Sequence, residues 1–346
     1  MAGLTAPHAL GPLTRRLLAL ALVTPEDVHR HGLRARDLSR SHAVALVEAG
    51  DARRYVVKEL QRADERSQGT PEQERALYGA VAAHPELRAW TAGVVHLGDV
   101  DDVLVLDYLA GAESVVARAA RTGWSDGELA THLGAALGGW HAAARPRLGA
   151  FEAVEPPWVL RVLEPDRPGF VRTNDAVAEA LATLDGGPLA RWLRVLREGW
   201  RDDAVIHGDL QFDNCLVEPS GRITFVDWEC AGRGDAAWDL AALAAELISR
   251  SPARDAASMT PVLSGAVRLL VAAYAEHDEA AGGASALAGR VVPYAGARLL
   301  LRALQIASRE DGEPGAISPA VRWHLTLAEA VASAPDLAAA VSGGSR

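Results

Sequence analysis

The sequence has only two cysteines among its 346 residues, and this scarcity excludes several kinds of protein. Cys215 and Cys230 show no spacing typical of a metal-binding cluster or a disulfide framework. Proteins that depend on disulfides belong to oxidising compartments. We therefore expect a protein of the reducing cytoplasm.

Long hydrophobic runs are also missing, since no stretch approaches the roughly 18 apolar residues that a membrane span needs. The run 17–23 follows Arg15 and Arg16 like a signal peptide, but it is short and no small-residue cleavage site comes after it. Thr24 reads instead as a helix N-cap, with Pro25 at the first helical position. The pattern predicts two short leading helices, residues 12–23 and 25–31, and no membrane partner.

Basic residues are fewer than acidic ones, with 35 Lys and Arg against 45 Asp and Glu, so the net charge is −10. This balance argues against a general nucleic-acid binder. It favours a cationic acceptor, although acidity that serves only solubility is an equal alternative. The 49% of hydrophobic residues predicts a globular chain, long enough for two lobes.

The most informative stretch is residues 205–240, VIHGDLQFDNCLVEPSGRITFVDWECAGRGDAAWDL. A short apolar segment leads to the HGD motif at 207–209, and Asn214 follows the aspartate after five residues. A second apolar segment, 223–226, ends at Asp227, and a Pro-Ser-Gly turn signal separates the two halves. The sequence predicts a β-hairpin with one carboxylate before it and another after it.

Two carboxylates and an amide at this spacing suit phosphoryl transfer. The reaction needs a carboxylate beside the acceptor hydroxyl, and magnesium takes carboxylates, amide oxygens, waters and phosphate oxygens. Asp209 and Asn214 can face one cleft from a single loop, and Asp227 on the paired strand can complete a metal site. The alternative is a β-hairpin whose carboxylates are only solvated by water. That alternative does not explain why several polar residues occur at these spacings.

HGDLQFDNCLV followed by ITFVDWECAGRGDAAWDLA resembles the aminoglycoside phosphotransferase and choline kinase-like family, which has a protein kinase-like fold. The resemblance implies an α+β, two-lobed architecture. Residues 1–108 would form a small β-rich N-lobe with two leading helices, and residues 109–346 a larger, mainly helical C-lobe. Within the C-lobe, the catalytic loop and the metal-binding hairpin would span residues 205–230.

The resemblance also implies roles for single residues. Asp209 would be the catalytic carboxylate, while Asn214 and Asp227 would hold magnesium. His207 would be a structural loop histidine, and two further acidic positions, Asp235 and Asp239, would open the next helix. Glu229 follows Asp227 by two residues, so it could serve a second magnesium, a cationic acceptor or a backbone amide.

The N-terminal part carries a strand lysine and a helix glutamate. The segments 43–47 and 54–60 read as strands, and Lys58 follows two valines of the buried type. In a kinase-like fold such a lysine pairs with the α- and β-phosphates. Thr70 begins a helix in which Glu74 is the predicted partner of Lys58, since Glu72 would lie on a different face.

Further nucleotide contacts are implied at two places. The loop 37–42 has no glycine, but Ser39 and Ser41 offer hydroxyls and N–H groups to phosphates. After strands at 91–97 and 103–106, the main chain of Asp107 and Leu109 would bond the adenine edge.

The C-terminal part reads as helical. Ser125 has a capping-box pattern, followed by four apolar residues at helical spacing that predict a buried central helix. Later helical periods run through residues 240–248, 262–274, 287–307 and 321–331.

The resulting hypothesis is an ATP- and Mg²⁺-dependent phosphotransferase with an alcohol group as acceptor. The leading acceptor is a small molecule: an antibiotic, amino-sugar, amino-alcohol or sugar. The alternatives are a Ser or Thr side chain on a peptide in a natural-product dehydration pathway, with a partner protein of that pathway, and a catalytically silent nucleotide-binding protein.

Overall fold

The structure is a computed structural model in which the chain divides into two compact units, Met1–Ala112 and Glu113–Arg346. The predicted lobe boundary lies four residues earlier, after residue 108. The residues described are 10–38, 44–49, 53–60, 69–98, 102–163, 175–182, 184, 187–250, 261, 263–309 and 317–333.

The first unit is organised on a five-stranded antiparallel sheet with the order β1-β2-β3-β5-β4. Val57 and Val105 pair across its central strands and are fully buried. The strands are β1 (Leu33–Asp37), β2 (Val44–Ala49), β3 (Arg53–Glu59), β4 (Val94–Leu97) and β5 (Val103–Asp107).

Strand β1 is a difference from the sequence prediction, which has no strand before residue 43. It carries only two apolar residues, Leu33 and Ala35, between charged ones, so its alternation is weak. Both side chains pack against the core of the first unit. Tertiary contact with β2 therefore decides the conformation of this segment.

Three helices accompany the sheet: α1 (Leu10–Ala19), α2 (Pro25–His31) and α3 (Pro71–Ala83). The capping boxes that begin α2, at Thr24, and α3, at Thr70, are both present. Helix α1 ends earlier than predicted because Ala21 has a φ of 54°, a left-handed conformation that a helix cannot continue through.

The second unit is mainly helical, as the sequence predicts. Ser125 caps the long α5, whose side chains at Leu129, Leu133, Leu137 and Trp140 are fully or almost fully buried. The helices are α4 (Val115–Thr122), α5 (Asp126–Ala144), α6 (Asp175–Ala182), α7 (Pro188–Glu198), α8 (Ala236–Arg250), α9 (Arg268–His277), α10 (Gly283–Ala307) and α11 (Pro319–Ser333).

Close helix packing surrounds the centre of this unit. A Cβ at Gly138 of α5 would lie 2.6 Å from the Tyr274 carbonyl on α9, so the two backbones approach too closely for a side chain there. Helix α8 is apolar around most of its circumference and is correspondingly buried, packing against α5 and α10. None of the described helices is both long and apolar enough to cross a membrane.

Two small sheets carry the stretch that the sequence singles out. The predicted hairpin is β8 (Cys215–Val217) with β9 (Ile223–Phe225), extended by β6 (Glu113–Ser114). Strand β7 (Ala204–Ile206) pairs antiparallel with β10 (Gly232–Gly234). The loop between β7 and β8 therefore starts from one sheet and ends in the other.

Candidate active site

The predicted ion pair of the first unit is present. Lys58 Nζ lies 2.9 Å from Glu74 Oε2 and donates to Oε1 at 3.0 Å. Lys58 is 6% exposed and Glu74 2%, so both charges are shielded from water. Strand β3 lies between β2 and β5, and α3 supplies the carboxylate from a buried position, while the rival Glu72 is exposed.

The other predicted nucleotide contacts of this unit remain predictions. Ser39 and Ser41 lie outside the described residues. Asp107 ends β5, where its N–H donates to the Gly93 carbonyl. The carbonyl of Leu109 accepts from the N–H of Ala112, so part of the polar backbone predicted to face adenine is used within the protein.

In the second unit, the HGD motif follows β7 directly, and its glycine has a structural reason. Gly208 has a φ of 82°, a conformation that other residues rarely adopt. A Cβ there would lie 2.8 Å from the Cβ of Cys230 and closer still to the Cys230 carbonyl. The turn that presents Asp209 thus requires glycine.

Asp239, on the first turn of α8, holds this loop through its carboxylate. Oδ2 accepts from the His207 N–H at 2.6 Å, and Oδ1 accepts from the Gly208 N–H at 3.0 Å. His141 Nε2 lies 3.4 Å from Oδ2. Burial raises the pKa of Asp239, but the nearby His141 and the hydrogen bond from the His207 N–H outweigh burial, so the pKa is lowered.

The carbonyls of the same loop are held by donors that follow it in the chain. Trp238 Nε1 donates to the Gly208 carbonyl at 2.9 Å. Arg298, from α10, donates to the carbonyls of Gly208 at 3.3 Å and Leu210 at 2.9 Å. Its guanidinium also lies over the Trp238 ring, 4.7 Å from the centroid. Loop N–H and C=O groups are therefore both bonded to buried side chains.

The Asp209 side chain remains partly accessible within this frame. Gln211 Nε2 donates to its Oδ2 at 3.1 Å, and Arg298 lies 3.6 Å from its Oδ1. The side chain of Asp209 is 36% exposed, whereas that of Arg298 is 7% exposed. A carboxylate that is held by neighbouring side chains and remains accessible to solvent can accept a hydrogen bond from the hydroxyl group of a bound acceptor.

Asn214 and Asp227 lie at the same end of the hairpin. Cys215 pairs with Phe225, and the Val226 N–H donates to the Asn214 carbonyl at 3.0 Å, so Asp227 follows directly. Asn214 Nδ2 donates to the Asp209 carbonyl at 3.1 Å. This bond fixes the orientation of the side-chain amide, whose oxygen Oδ1 lies on the opposite side from the bonded nitrogen. Asp227 has a φ of 68°, a conformation that aspartate tolerates better than most residues.

This donor set fits magnesium. An amide oxygen and a carboxylate are ligands that Mg²⁺ prefers, with waters and phosphate oxygens as the others. Among the described residues, no group of three His, Cys, Asp or Glu side chains could hold a metal by itself. Asn214 and Asp227 would thus need oxygens from a bound phosphate or from water.

Asp235, His207 and Glu229 are the other residues of this stretch for which the sequence suggests a role. The Asp235 carboxylate contacts Arg290 and accepts from the Tyr294 hydroxyl at 3.0 Å, which ties the start of α8 to α10. His207 Nε2 donates to the Val226 carbonyl at 2.9 Å, which joins the loop to the hairpin as a structural role requires. Glu229 is partly buried after Asp227, and its role stays a prediction.

Residues 33–282, well over half of the chain, match the sequence model of the APH phosphotransferase enzyme family. The chain belongs to this phosphotransferase family. The matched range includes Lys58 and Glu74 as well as the loop and hairpin around Asp209. No curated protein matches the chain.

Solved structures of similar fold come from choline and ethanolamine kinases. A choline/ethanolamine kinase family protein of Mesorhizobium loti is 20% identical with a TM-score of 0.55, covering 97% of this chain and 100% of that one. A choline kinase of Streptococcus pneumoniae is 15% identical with a TM-score of 0.54, covering 94% and 99%. These likenesses confirm the two-lobed, protein kinase-like fold of this phosphotransferase.

Sequence reasoning did not find the residues outside the motif that hold the loop around Asp209. Arg298 lies 90 residues after Gly208, and His141 lies on α5, well before the motif. The only signal for Arg298 was that it is one of three arginines within the long apolar period of α10. No motif marks His141 within the predicted central helix, and the structure buries it completely beside Asp239.

Proposed function

We propose that this phosphotransferase moves the γ-phosphate of ATP, with magnesium, to a hydroxyl group of a small molecule. The observation that carries the proposal is the arrangement around Asp209. The loop presents the accessible carboxylate of Asp209, and the backbone carbonyl of Asp209 orients the Asn214 side chain. Relatives of similar fold are choline and ethanolamine kinases, and one of them is a complex with AMP, which supports nucleotide use.

In the proposed reaction, Asp209 accepts a hydrogen bond from the acceptor hydroxyl and aligns its oxygen with the γ-phosphorus. The new bond joins the acceptor oxygen to that phosphorus while the bond from the phosphorus to the β,γ-bridging oxygen breaks. The hydroxyl proton passes late to Asp209, and ADP leaves. Magnesium, held by Asn214 and Asp227, would neutralise charge on the phosphates.

The Lys58–Glu74 pair contributes the remaining part of the proposed machinery. In the nucleotide complex, Lys58 would bind the α- and β-phosphates, with Glu74 holding the ammonium in place. A rigid, buried ion pair reduces the entropy that the lysine loses on binding.

The experiment is mass-spectrometric detection of phosphorylated product after incubation with MgATP and a pool of amino-sugars, amino-alcohols, sugars, hydroxy amino acids and Ser/Thr peptides. We expect a small-molecule product that Asp209→Ala does not form, although the variant binds nucleotide normally. Asp213→Ala is the matched control, because Asp213 is an exposed carboxylate on the turn just before Asn214.

Three results would contradict the proposal. Near-normal turnover by Asp209→Ala would remove the catalytic assignment. Phosphorylation of the peptides alone would show a peptide kinase. Binding of MgATP without any product would favour a silent nucleotide-binding protein.

A further inference from the structure

A pocket of about 170 Å³ lies within the second unit, and Asp209 forms part of its wall. Helices α8 and α10 supply most of the lining, and His324 of α11 adds to it. The volume is comparable to the roughly 150 Å³ of a protein cavity that takes up benzene. The pocket therefore has room for a molecule of about six to ten non-hydrogen atoms next to the catalytic carboxylate.

The pocket follows from the spacing of residues on the two helices. On α8, Ala242, Ala245, Glu246 and Ser249 recur at helical spacing on one face. The two alanines are small enough to leave space against α10. Along the same helix, Glu246 lies two turns beyond Asp239, about 10 Å further from the residue that holds the catalytic loop.

Helix α10 directs a basic face into the pocket. Arg298, Arg302 and Gln305 follow one another at helical spacing and all line it. Arg298 is already bonded to the carbonyls of Gly208 and Leu210 and lies beside Asp209. Arg302, one turn further, is exposed at the rim of the pocket.

Glu246 and Arg302 are the two charged side chains of the pocket for which no described residue supplies a hydrogen bond or an ion pair. Burial raises the pKa of Glu246, and the charge of Asp213 adds to this, while Arg302 and Arg298 lower it. A half-buried carboxylate without a donor would be stabilised by a cationic group of a ligand.

His324 has a defined donor and acceptor arrangement in the same pocket. Its Nδ1 donates to the Ala320 carbonyl at 2.8 Å, and burial together with Arg302 lowers its pKa. The ring is therefore neutral at pH 7, with Nε2 as an acceptor. Glu246 and Arg302 remain the pocket's unpaired charges of opposite sign.

We infer that this pocket binds the acceptor, and that the acceptor is a small zwitterionic hydroxyl compound of the hydroxy amino acid type. Glu246 would bind its ammonium group and Arg302 its carboxylate, which leaves the hydroxyl for Asp209. The inference rests on the proposed phosphotransferase function and narrows its acceptor class. A multi-ring antibiotic would extend well beyond a pocket of this size.

The test uses the whole protein and two separate measurements. Isothermal titration without nucleotide measures the binding of L-serine, L-threonine and L-homoserine, compared with ethanolamine and choline, which lack the acid, and glycolate, which lacks the amine. Turnover with MgATP is then measured for the same six compounds. We expect binding and phosphorylation of at least one hydroxy amino acid, at least tenfold more efficient than for the compounds that lack either charge.

The variants Glu246→Gln and Arg302→Gln should each raise the KM for that acceptor about tenfold or more, because each removes one charge-assisted contact. Ala245→Leu should close the pocket and abolish acceptor binding. The KM for ATP should stay within about twofold in all three. Glu276→Gln and Arg322→Gln are matched controls, since both side chains are exposed and outside the pocket.

The outcomes separate the two proposals. Phosphorylation of ethanolamine, choline or a sugar, without any binding of hydroxy amino acids, would overturn the inference and leave the phosphotransferase function intact. Binding that depends on Glu246 and Arg302, but with no phosphate transfer, would support the pocket and count against the proposed reaction. Binding that neither variant weakens would also overturn the inference.

Discussion

Arg298 lies 3.6 Å from the Asp209 carboxylate while its guanidinium bonds the backbone carbonyls on either side of that residue. One buried side chain on α10 thus contacts both the carboxylate of Asp209 and the loop that presents it. This relationship makes the orientation of Asp209 dependent on a helix far away in the sequence.

Arg298→Ala should lower kcat about a hundredfold, because a small misplacement of a catalytic group has an effect of that order. The KM for ATP should change little, since Arg298 bonds the carbonyls of Gly208 and Leu210 and lies over the Trp238 ring. Arg298→Lys should restore part of the rate. The lysine ammonium can still bond one of the three groups that Arg298 contacts, which are the Asp209 carboxylate and the carbonyls of Gly208 and Leu210. Steady-state kinetics with Arg322→Ala as the control checks this, and a kcat within about threefold of wild type would contradict it.

Glu74→Gln should lower the free energy of unfolding by about 3 kcal/mol, because it leaves the buried ammonium of Lys58 without its counter-charge. The double substitution Lys58→Met and Glu74→Leu should lower it less, since no buried charge remains. Urea denaturation measures both, and the exposed Glu72→Gln is the control. A double variant less stable than Glu74→Gln would refute this account of the pair.

Asp239→Asn should lower the free energy of unfolding at pH 7 by about 3 kcal/mol. The folded pKa of Asp239 is below its usual 3.8, so its stabilisation is complete above the unfolded pKa and is lost as pH falls through the folded value. The difference between wild type and variant should therefore shrink from pH 7 to pH 3. Urea titrations across that range test this, and a constant difference would count against a charged Asp239.

Asp227→Asn should weaken MgATP binding about tenfold or more, with little effect on metal-free ATP, if Asp227 holds the metal. Asparagine is the better substitution because, like aspartate, it tolerates the φ of 68°, whereas alanine would add strain. Calorimetry with and without magnesium measures the two affinities, and Asp213→Asn is the control. Equal losses with and without magnesium would exclude a metal role.

Cys230 should react with iodoacetamide far more slowly than a free thiol at pH 8. Burial raises its pKa, and the carboxylates of Asp209, Glu229 and Asp227 raise it further, so little thiolate is present. Asp209→Asn should speed the alkylation by removing one of these charges. Peptide mass spectrometry gives the rate, and a faster reaction in wild type than in the variant would contradict the proximity of the two residues.

Much of the site was predictable because its residues lie close together in the sequence. The spacing of Asp209, Asn214 and Asp227 across a turn signal predicts a hairpin, and strand register then places the last two at one end. Lys58 and Glu74 were predictable from a strand and a capped helix. The helix starts predicted at Thr24, Thr70 and Ser125 were all confirmed, since each capping box depends on residues three positions apart.

Other features came only from the tertiary structure. Strand β1 has too few apolar residues to be recognised locally and forms because β2 offers it hydrogen bonds. Trp238 and Arg298 bond the loop around Asp209, and His141 lies beside the Asp239 carboxylate that holds it. No spacing in the sequence indicates that these residues come together.

The sequence by itself determined the family and the fold class and indicated the candidate site residues, because local patterns and short spacings specify strands, caps and the hairpin. The tertiary structure decided how the loop around Asp209 is held and where a pocket forms beside it. Both depend on the packing of α8 against α10, which is the sum of many weak contacts between distant residues. The presence of Glu246 and Arg302 in one pocket, neither bonded to another described side chain, is a consequence of that packing.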